Sequence, residues 1–339
     1  MPDPAAPAVD AYWQALHDAA GNATASGERH AVTIAGHQVA LHSSVGVLAP
    51  VVLPALAHLA GASAAPVALT VHLVDGAAAQ AAPQALPWPV IDGQAWTLQT
   101  DRFLALHLPV LDSVLWYDRR DRIGIYWLPD ARHCPLVERG SPLLTLWAWW
   151  LADLGLQLTH AAAVAGRRGA ALLVGQGGSG KSTTALLTVG SSLRYLADDY
   201  CITDPLAPAV HSLYCSGKVA ADEADRFAAI ARYRAGADHE KALFFFHPSD
   251  PGVMSIHAPL RAIFVPVISG RPDTTYAPVP AMAALRAAAP STVLQLRVGT
   301  SPAAALTRLK QLTTRVPAYQ VNLGTDRQRI PSVLAELLD

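Results

Sequence analysis

A glycine-rich segment followed by a lysine and a hydroxyl is the strongest chemical signal in the sequence. Residues 175–182, GQGGSGKS, match the P-loop pattern G-x-x-x-x-G-K-[ST] without a gap, between an apolar stretch and a helix-like stretch. Glycines let backbone N–H groups turn toward one point, and the lysine adds a positive charge for the β- and γ-phosphates of a nucleotide. The serine hydroxyl stands where Mg²⁺ binds. The residues predicted to bind a nucleoside triphosphate are Gly175, Gly177, Gly178, Ser179, Gly180, Lys181, Ser182 and Thr183.

Two adjacent carboxylates, Asp198 and Asp199, follow the P-loop on the next predicted strand, 194–202. One of them can bind Mg²⁺ while the other accepts a proton from an attacking hydroxyl group, and the pattern does not decide which does which. Successive strand residues point to opposite faces, so both can serve only at a bulge or a strand end. The pattern predicts Ser182 and both aspartates as metal ligands, and both aspartates with Lys181 as catalytic residues.

Residues 159–200, THAAAVAGRRGAALLVGQGGSGKSTTALLTVGSSLRYLADDY, resemble the HPr serine kinase superfamily. In that family a strand bearing a histidine precedes the P-loop, and a strand with the sequence ADD follows it. Three later segments, 212–219, 260–268 and 316–324, resemble the HPr-kinase-related proteins that tailor ribosomally made peptides, including kinases of lasso-peptide precursors. The resemblance covers about residues 159–330.

This resemblance implies an α/β fold, with a P-loop kinase domain of the HPr kinase and PEP carboxykinase type after a smaller sheet-rich α+β domain. It implies a kinase that uses ATP and Mg²⁺ and phosphorylates a serine of a precursor peptide or small protein. By matching positions, His160 would lie near the transferred phosphoryl group and is a predicted catalytic residue, since histidine commonly handles protons. Lys218, in the segment 212–219, would contact phosphate or the acceptor.

The chain departs from HPr kinases proper in one segment. Those enzymes carry a glycine-rich sequence of the RGLGI type after the aspartate strand, and this sequence has none. HPr is therefore a less favoured acceptor, and a reverse phosphorylase reaction is less favoured too. Two other functions stay open: a kinase for a small molecule such as free serine, and an ATP-binding accessory protein without phosphoryl transfer.

The order of predicted elements divides the chain in two. Residues 1–138 alternate short apolar runs with turns, which predicts a sheet-rich domain. By analogy alone, this domain would position an acceptor or mediate assembly. Residues 139–339 alternate strands with helices, which predicts an α/β catalytic domain.

Several helices of the second domain are predicted from the spacing of apolar residues and from residues that end helices. They cover residues 142–158, 221–232 and 280–288, the last ended by a proline. The acidic residues at 222–225 and the segment 237–242 predict solvated helix ends, or a loop that closes over a substrate.

Composition limits the classes of function. Hydrophobic residues make up 52% of the 339 positions and the formal net charge is −1, so a packed core is expected and nucleic-acid binding is not supported. The three cysteines form no CxxC pair, and the N-terminal sequence lacks the basic and apolar regions of a signal peptide, which favours a cytoplasmic protein. The apolar segments 45–61 and 142–158 are too short or too interrupted to predict a membrane span. The sequence leaves a homo-oligomer open.

Overall fold

The computed structural model describes the chain except for residues 1–5, 47, 84–95, 109–110, 247–249, 251 and 296–298. It is a mixed α/β protein built on several sheets, and the two larger sheets contain both parallel and antiparallel strand pairs. None of the helices in the described ranges is both long and apolar enough to cross a membrane.

The described chain divides into two compact units. The first comprises Met1–Leu53 and Ala60–Pro135, and the second comprises Pro54–Leu59 and Leu136–Asp339. The sequence places its boundary after residue 138 and does not anticipate that Pro54–Leu59 belongs to the second unit. The roles predicted for the two domains stay predictions.

The first unit is built around one mixed sheet. Its strands are β1 (Glu28–Ile34), β2 (His37–Ser43), β3 (Val67–Asp75), β4 (Thr97–Gln99), β5 (Phe103–Leu108), β6 (Ser113–Asp118) and β7 (Ile123–Leu128). Its helices are α1 (Ala6–Thr24), α2 (Leu48–Leu56), which continues into the second unit, and α3 (Gly76–Ala79). The strand order is β1-β2-β3-β7-β6-β5-β4, with parallel pairs at β2–β3 and β3–β7.

Helix α1 packs on this sheet through one apolar stripe. Val9, Trp13, Leu16 and Ala20 follow each other at helical spacing, and all four are buried in a cluster with Trp116. Burial of such a stripe, more than intrinsic helix propensity, stabilises a surface helix. Helix α1 is not among the predicted elements, although this helical spacing of apolar residues is visible in the sequence.

The second unit contains the residues predicted to be catalytic or to bind ligands. Its strands are β8 (Gln157–His160), β9 (Ala162–Gly166), β10 (Gly169–Leu173), β11 (Arg194–Ala197), β12 (Tyr200–Asp204), β13 (Ala209–Ser212), β14 (Ser216–Ala220), β15 (Arg234–Ala237), β16 (Lys241–Phe245), β17 (His257–Ile268), β18 (Thr275–Val279) and β19 (Ala318–Leu323). Its helices are α4 (Leu136–Gly140), α5 (Leu144–Asp153), α6 (Lys181–Leu187), α7 (Ala281–Gln295), α8 (Pro302–Arg315) and α9 (Ile330–Leu338).

The main sheet of this unit runs in the order β11-β9-β10-β17-β13-β12-β8, with β19 also paired to β17 and β18 to β19. A small antiparallel sheet has the order β14-β16-β15. Both β10 and β19 lie parallel to the long strand β17. The carboxyl ends of these parallel strands therefore lie at one edge of the sheet, where ligands of open α/β sheets bind.

Both faces of strand β10 are covered. Ala171 and Leu173 belong to a core cluster that contains side chains of α6 and α9, whereas Ala170 and Leu172 belong to one that contains side chains of α7 and α8. Because strand side chains alternate between faces, a strand covered on both sides reads as a continuous apolar run. This explains the uninterrupted sequence AALLV before the P-loop.

Several predicted elements differ from the structure. The predicted helix 142–158 ends at Asp153, because Gly155 takes a left-handed φ of 78° and the chain then enters β8. The predicted helix 221–232 is two short 3₁₀ segments, Ala221–Arg226 and Ala228–Tyr233. Helix α7 continues past Pro290 to Gln295 instead of ending at residue 288.

Candidate active site

A cavity of about 710 Å³ lies in the second unit, within the size range of small-molecule sites. Residues 177–184 of the P-loop segment line it together with His160, Asp199 and Lys218. The tertiary structure thus brings together side chains that the sequence places on four different elements.

The P-loop connects β10 to α6, as the sequence predicts. Gly178 and Gly180 have left-handed φ values of 79° and 95°, which other residues adopt only with strain. A Cβ atom at Gly180 would also lie 2.6 Å from Leu323 Cδ1. Gly177 is different, because its φ is not left-handed and an added Cβ would meet no heavy atom within 4 Å. Gly177 lines the cavity, so its missing side chain leaves open space beside that cavity.

Lys181, the first residue of α6, is buried and points back to the loop. Its Nζ donates to Gly175 O at 2.7 Å and to Gln176 O at 3.0 Å. Burial lowers the pKa of Lys181, and the carboxylates of Asp198 and Asp199 oppose that shift. The structure therefore keeps a lysine ammonium beside the loop, held by carbonyl oxygens that a phosphate group can replace.

The two aspartates lie at a corner between strands. Strand β11 ends at Ala197 and pairs with β9, whereas β12 begins at Tyr200 and pairs with β8. Asp199 has a left-handed φ of 61°, a conformation that Asp adopts more readily than most residues and that is common at functional sites. The continuous strand 194–202 that the sequence predicts is thus broken at the aspartates, and this strand end lets the two side chains serve different surroundings.

Asp198 is the buried member of the pair. Its Oδ1 accepts the N–H of Asp199 at 2.9 Å, its Oδ2 accepts the N–H of Lys218 at 3.0 Å, and it also hydrogen-bonds the side chain of Ser182. Burial and the negative charge of Asp199 raise the pKa of Asp198, against the effect of these hydrogen bonds. A bound cation would supply the positive charge that this buried carboxyl group lacks.

Asp199 faces the cavity, with 28% of its side chain exposed. Its Oδ2 lies 2.9 Å from the Lys218 ammonium, and its Oδ1 lies 4.0 Å from His160 Nε2. Burial by itself raises the pKa of Asp199, but the positive charge of Lys218 and the hydrogen bond from it lower that pKa below its ordinary value. Asp199 is therefore an ionised carboxylate beside the cavity.

His160 ends strand β8, where its backbone N–H donates to Thr292 Oγ1 at 3.1 Å. Its ring packs 5.2 Å from the Tyr200 ring. Burial lowers the pKa of His160 to about 4, against the attraction of Asp199, so the imidazole is neutral near neutral pH. Its Nε2 is the nitrogen on the side of Asp199.

The cavity is also lined by residues that were not predicted from the sequence as site residues. Glu223, Lys241 and Arg327 line the cavity, and Glu223 Oε1 accepts from Arg327 Nη2 at 3.3 Å. Glu223 and Lys241 lie in the two segments for which the sequence predicts solvated ends or a closing loop. The apolar side chains of Ile268 and Leu323 line the same cavity. Nothing in the spacing of these residues along the chain signals that they meet.

The polar atoms that line the cavity show whether a nucleotide with Mg²⁺ suits these residues. Among the described residues, Ser179 Oγ, Thr184 Oγ1 and His160 Nδ1 are buried and have no hydrogen-bond partner, and all three residues line the cavity. Buried polar groups are normally paired, so these atoms are consistent with a polar ligand in the cavity. In the described part of the chain, no group of three or more His, Cys, Asp or Glu side chains is arranged to hold a metal ion. Mg²⁺ commonly binds through one or two protein ligands and substrate phosphates, and Ser182 with Asp198 fits that mode.

A scan against protein-family models gives no match to this chain, and a search among curated proteins gives no match either. The geometry of the site and the motifs of the sequence are therefore what support a functional proposal.

Proposed function

We propose that the protein is a kinase that uses ATP and Mg²⁺ and transfers the γ-phosphoryl group to a hydroxyl group, namely a serine of a ribosomally made precursor peptide or small protein. The observation that carries the proposal is that one cavity is lined by both the P-loop segment and the carboxylate of Asp199. A nucleotide-binding protein without transfer needs no base at the cavity in addition to the ligands of Mg²⁺.

The proposed nucleotide contacts follow from the loop. Backbone N–H groups of residues 175–183 and the ammonium of Lys181 would hold the phosphate chain, with Lys181 exchanging the carbonyl oxygens of Gly175 and Gln176 for phosphate oxygens. Ile268 and Leu323 offer an apolar surface in the same cavity for the nucleobase.

Ser182 and Asp198 would hold Mg²⁺, because the serine hydroxyl and the buried carboxyl group already hydrogen-bond each other. When bound there, the ion supplies positive charge that neutralises the phosphate oxygens. Burial and the neighbouring charge of Asp199 raise the pKa of Asp198, and a cation beside it favours its ionised form. We therefore assign metal binding to Asp198, a choice that the sequence leaves open.

Asp199 would be the base. It is ionised, lines the cavity and lies one residue from the proposed metal ligand. The acceptor oxygen forms a bond to the γ-phosphorus as the bond between that phosphorus and the β,γ-bridging oxygen breaks, ADP leaves, and Asp199 takes the hydroxyl proton. His160, neutral and beside Asp199, would donate a hydrogen bond to the transferred group.

The resemblance over residues 159–330 supports the finer fold proposal, a P-loop kinase domain of the HPr kinase and PEP carboxykinase type. The succession of a histidine strand (β8), a P-loop after β10 and an aspartate corner after β11 agrees with the order of motifs in that family. The peptide acceptor rests on this resemblance alone, so the test of function must offer other acceptors as well.

Transfer from γ-labelled ATP with Mg²⁺ tests the proposal. The protein would be offered serine-containing peptides, free serine and no acceptor, with Lys181→Ala and Asp199→Asn as matched variants. Label on a peptide, lost in both variants, is the expected result. Label on free serine alone would instead assign a small-molecule kinase. Tight ATP binding without label on any acceptor, and function in the cell that survives Asp199→Asn, would contradict a kinase and favour the accessory protein.

A further inference from the structure

One residue of strand β14 contacts both aspartates. The backbone N–H of Lys218 donates to Asp198 Oδ2 at 3.0 Å, and its ammonium lies 2.9 Å from Asp199 Oδ2. Only 12% of the Lys218 side chain is exposed, so water competes little for this ion pair. The position of β14 therefore fixes the surroundings of the whole aspartate corner.

A segment before α5 holds β14 in place. The Lys218 ammonium also donates to Ser141 Oγ at 3.2 Å, and the hydroxyl of Ser216 donates to Gly140 O at 2.5 Å. Ser216 and Lys218 are two residues apart on the strand, so their side chains leave it on the same face. The backbone carbonyl of Ser216 is held as well, because it accepts a hydrogen bond from the Tyr195 hydroxyl at 2.5 Å. Gly140, Ser141, Ser216 and Tyr195 are all buried, which makes the arrangement rigid.

The stem of the Lys218 side chain runs beside Gly140. A Cβ atom added to Gly140 would lie 3.5 Å from both Lys218 Cδ and Lys218 Cε, which is van der Waals distance, so the two residues are packed neighbours. Gly140 and Ser141 come from the segment ERGSP, in which the sequence analysis places a domain boundary. In the structure this segment is part of the second unit and reaches its candidate site.

We infer that Lys218 and Ser141 are positioning residues for the base, holding Asp199 Oδ2 so that Asp199 Oδ1 is the oxygen that receives the acceptor proton. This inference rests on the proposed kinase function. The geometry supports it because Oδ2 is engaged by the ammonium at 2.9 Å, whereas Oδ1 has His160 Nε2 at 4.0 Å and stays available. A charge-assisted hydrogen bond is among the strongest means of fixing a carboxylate in one orientation.

Four variants test the inference: Lys218→Met, Lys218→Arg, Ser141→Ala and the double variant Ser141→Ala/Lys218→Met. For each, kcat and KM for the acceptor are measured, along with the Kd for ATP with Mg²⁺. Loss of the ammonium is expected to lower kcat by roughly 100-fold, while the Kd for ATP stays near that of the wild type. Lys218→Arg is expected to recover part of kcat, and Ser141→Ala to lower it by about 5-fold.

The double variant separates positioning from general damage. If Ser141 acts only through the ammonium, adding Ser141→Ala to Lys218→Met lowers kcat no further. Lys310→Met, an exposed lysine on α8, is the matched control and should leave kcat unchanged. Additive losses in kcat, or a kcat of Lys218→Met equal to that of the wild type while the wild type transfers phosphate, overturn the positioning role alone. A wild-type protein that phosphorylates no acceptor overturns the kinase proposal, and the role of Lys218 with it.

Discussion

The side chain of Ser182, in the first turn of α6, hydrogen-bonds the carboxyl group of Asp198 at the corner between β11 and β12. This contact joins the two motifs of the sequence, the P-loop and the aspartate pair, into one site. It also gives the two aspartates different surroundings, because Asp198 turns to the P-loop helix while Asp199 lines the cavity.

Substitution of each aspartate by asparagine should therefore give a different defect. Asp199→Asn is expected to lower kcat by roughly 100-fold or more, because the base is lost, while ATP still binds. Asp198→Asn is expected to raise the Mg²⁺ concentration for half-maximal activity by at least about 10-fold, because a ligand is weakened. The transfer rate measured against Mg²⁺ concentration gives kcat and the Mg²⁺ dependence of each variant. Fluorescence titration with ATP gives its nucleotide affinity. Equal Mg²⁺ dependence in the two variants would show that the roles are assigned wrongly.

Gly177→Ala should weaken nucleotide binding without destabilising the fold. No heavy atom lies within 4 Å of an added Cβ and the backbone φ is not left-handed, so the folded protein accepts alanine. The methyl group would point into open space beside the cavity, where it would meet a bound phosphate chain. We expect an unchanged midpoint of thermal unfolding and an increase of about 10-fold or more in the Kd for ATP with Mg²⁺.

Gly21→Ala is the matched control for that experiment. Gly21 also has open space at its Cβ position but lies in α1 of the first unit. Alanine there should raise helix stability slightly and leave the Kd for ATP unchanged. An unchanged Kd in Gly177→Ala would mean that the phosphate chain does not pass this glycine.

Acid should destabilise the first unit through His72. Burial lowers the pKa of His72 to about 4, and the positive charges of His42, His17 and Arg29 add to the shift. The unfolded chain binds this proton near pH 6.5, before the folded chain does, so stability is full above that pH and is lost as the pH falls toward 4. The expected loss is about 3 kcal/mol.

His72→Asn is expected to flatten this pH dependence. The Thr24 hydroxyl donates its hydrogen to Ala20 O at 2.9 Å. It therefore accepts a hydrogen bond from His72 Nδ1, also at 2.9 Å. The side-chain amide of asparagine can replace this second contact. Urea unfolding at several pH values, with hydrogen exchange of β3 to report on this unit, makes the measurement. His133→Asn, whose side chain is 81% exposed, is the control. A variant as acid-sensitive as the wild type would place the proton uptake elsewhere.

Leu334→Ala should destabilise the second unit strongly. Leu334, on α9, is fully buried in the cluster that also contains Leu186 of α6. Removing a buried leucine side chain leaves a cavity and typically costs about 2 to 5 kcal/mol. Chemical denaturation measures the change. Leu306→Ala, on α8 and 44% exposed, should change the free energy of unfolding by less than about 0.5 kcal/mol, and similar losses in both variants would contradict the packing assigned to α9.

The sequence predicted structure well where the backbone conformation depends on neighbouring residues. The P-loop was readable because Gly178 and Gly180 serve turn conformations that few other residues adopt, and because the strand and helix that flank them carry their own patterns. It was less informative where tertiary contacts decide an element. The apolar run 142–158 reads as one helix, yet its last residues belong to β8, which pairs with β12 (Tyr200–Asp204), a strand that lies well beyond it in the chain.

The glycine-rich loop, the adjacent carboxylates and the alternation of strands and helices could be predicted from sequence, because each depends on residues close together along the chain. The inward direction of Asp198 and the cavity-facing direction of Asp199 could not, since they depend on a strand break and a left-handed backbone at Asp199. Ser141 and Arg327 could not be predicted as site residues either, because their positions follow from strand pairing and helix packing between segments that sequence spacing does not relate.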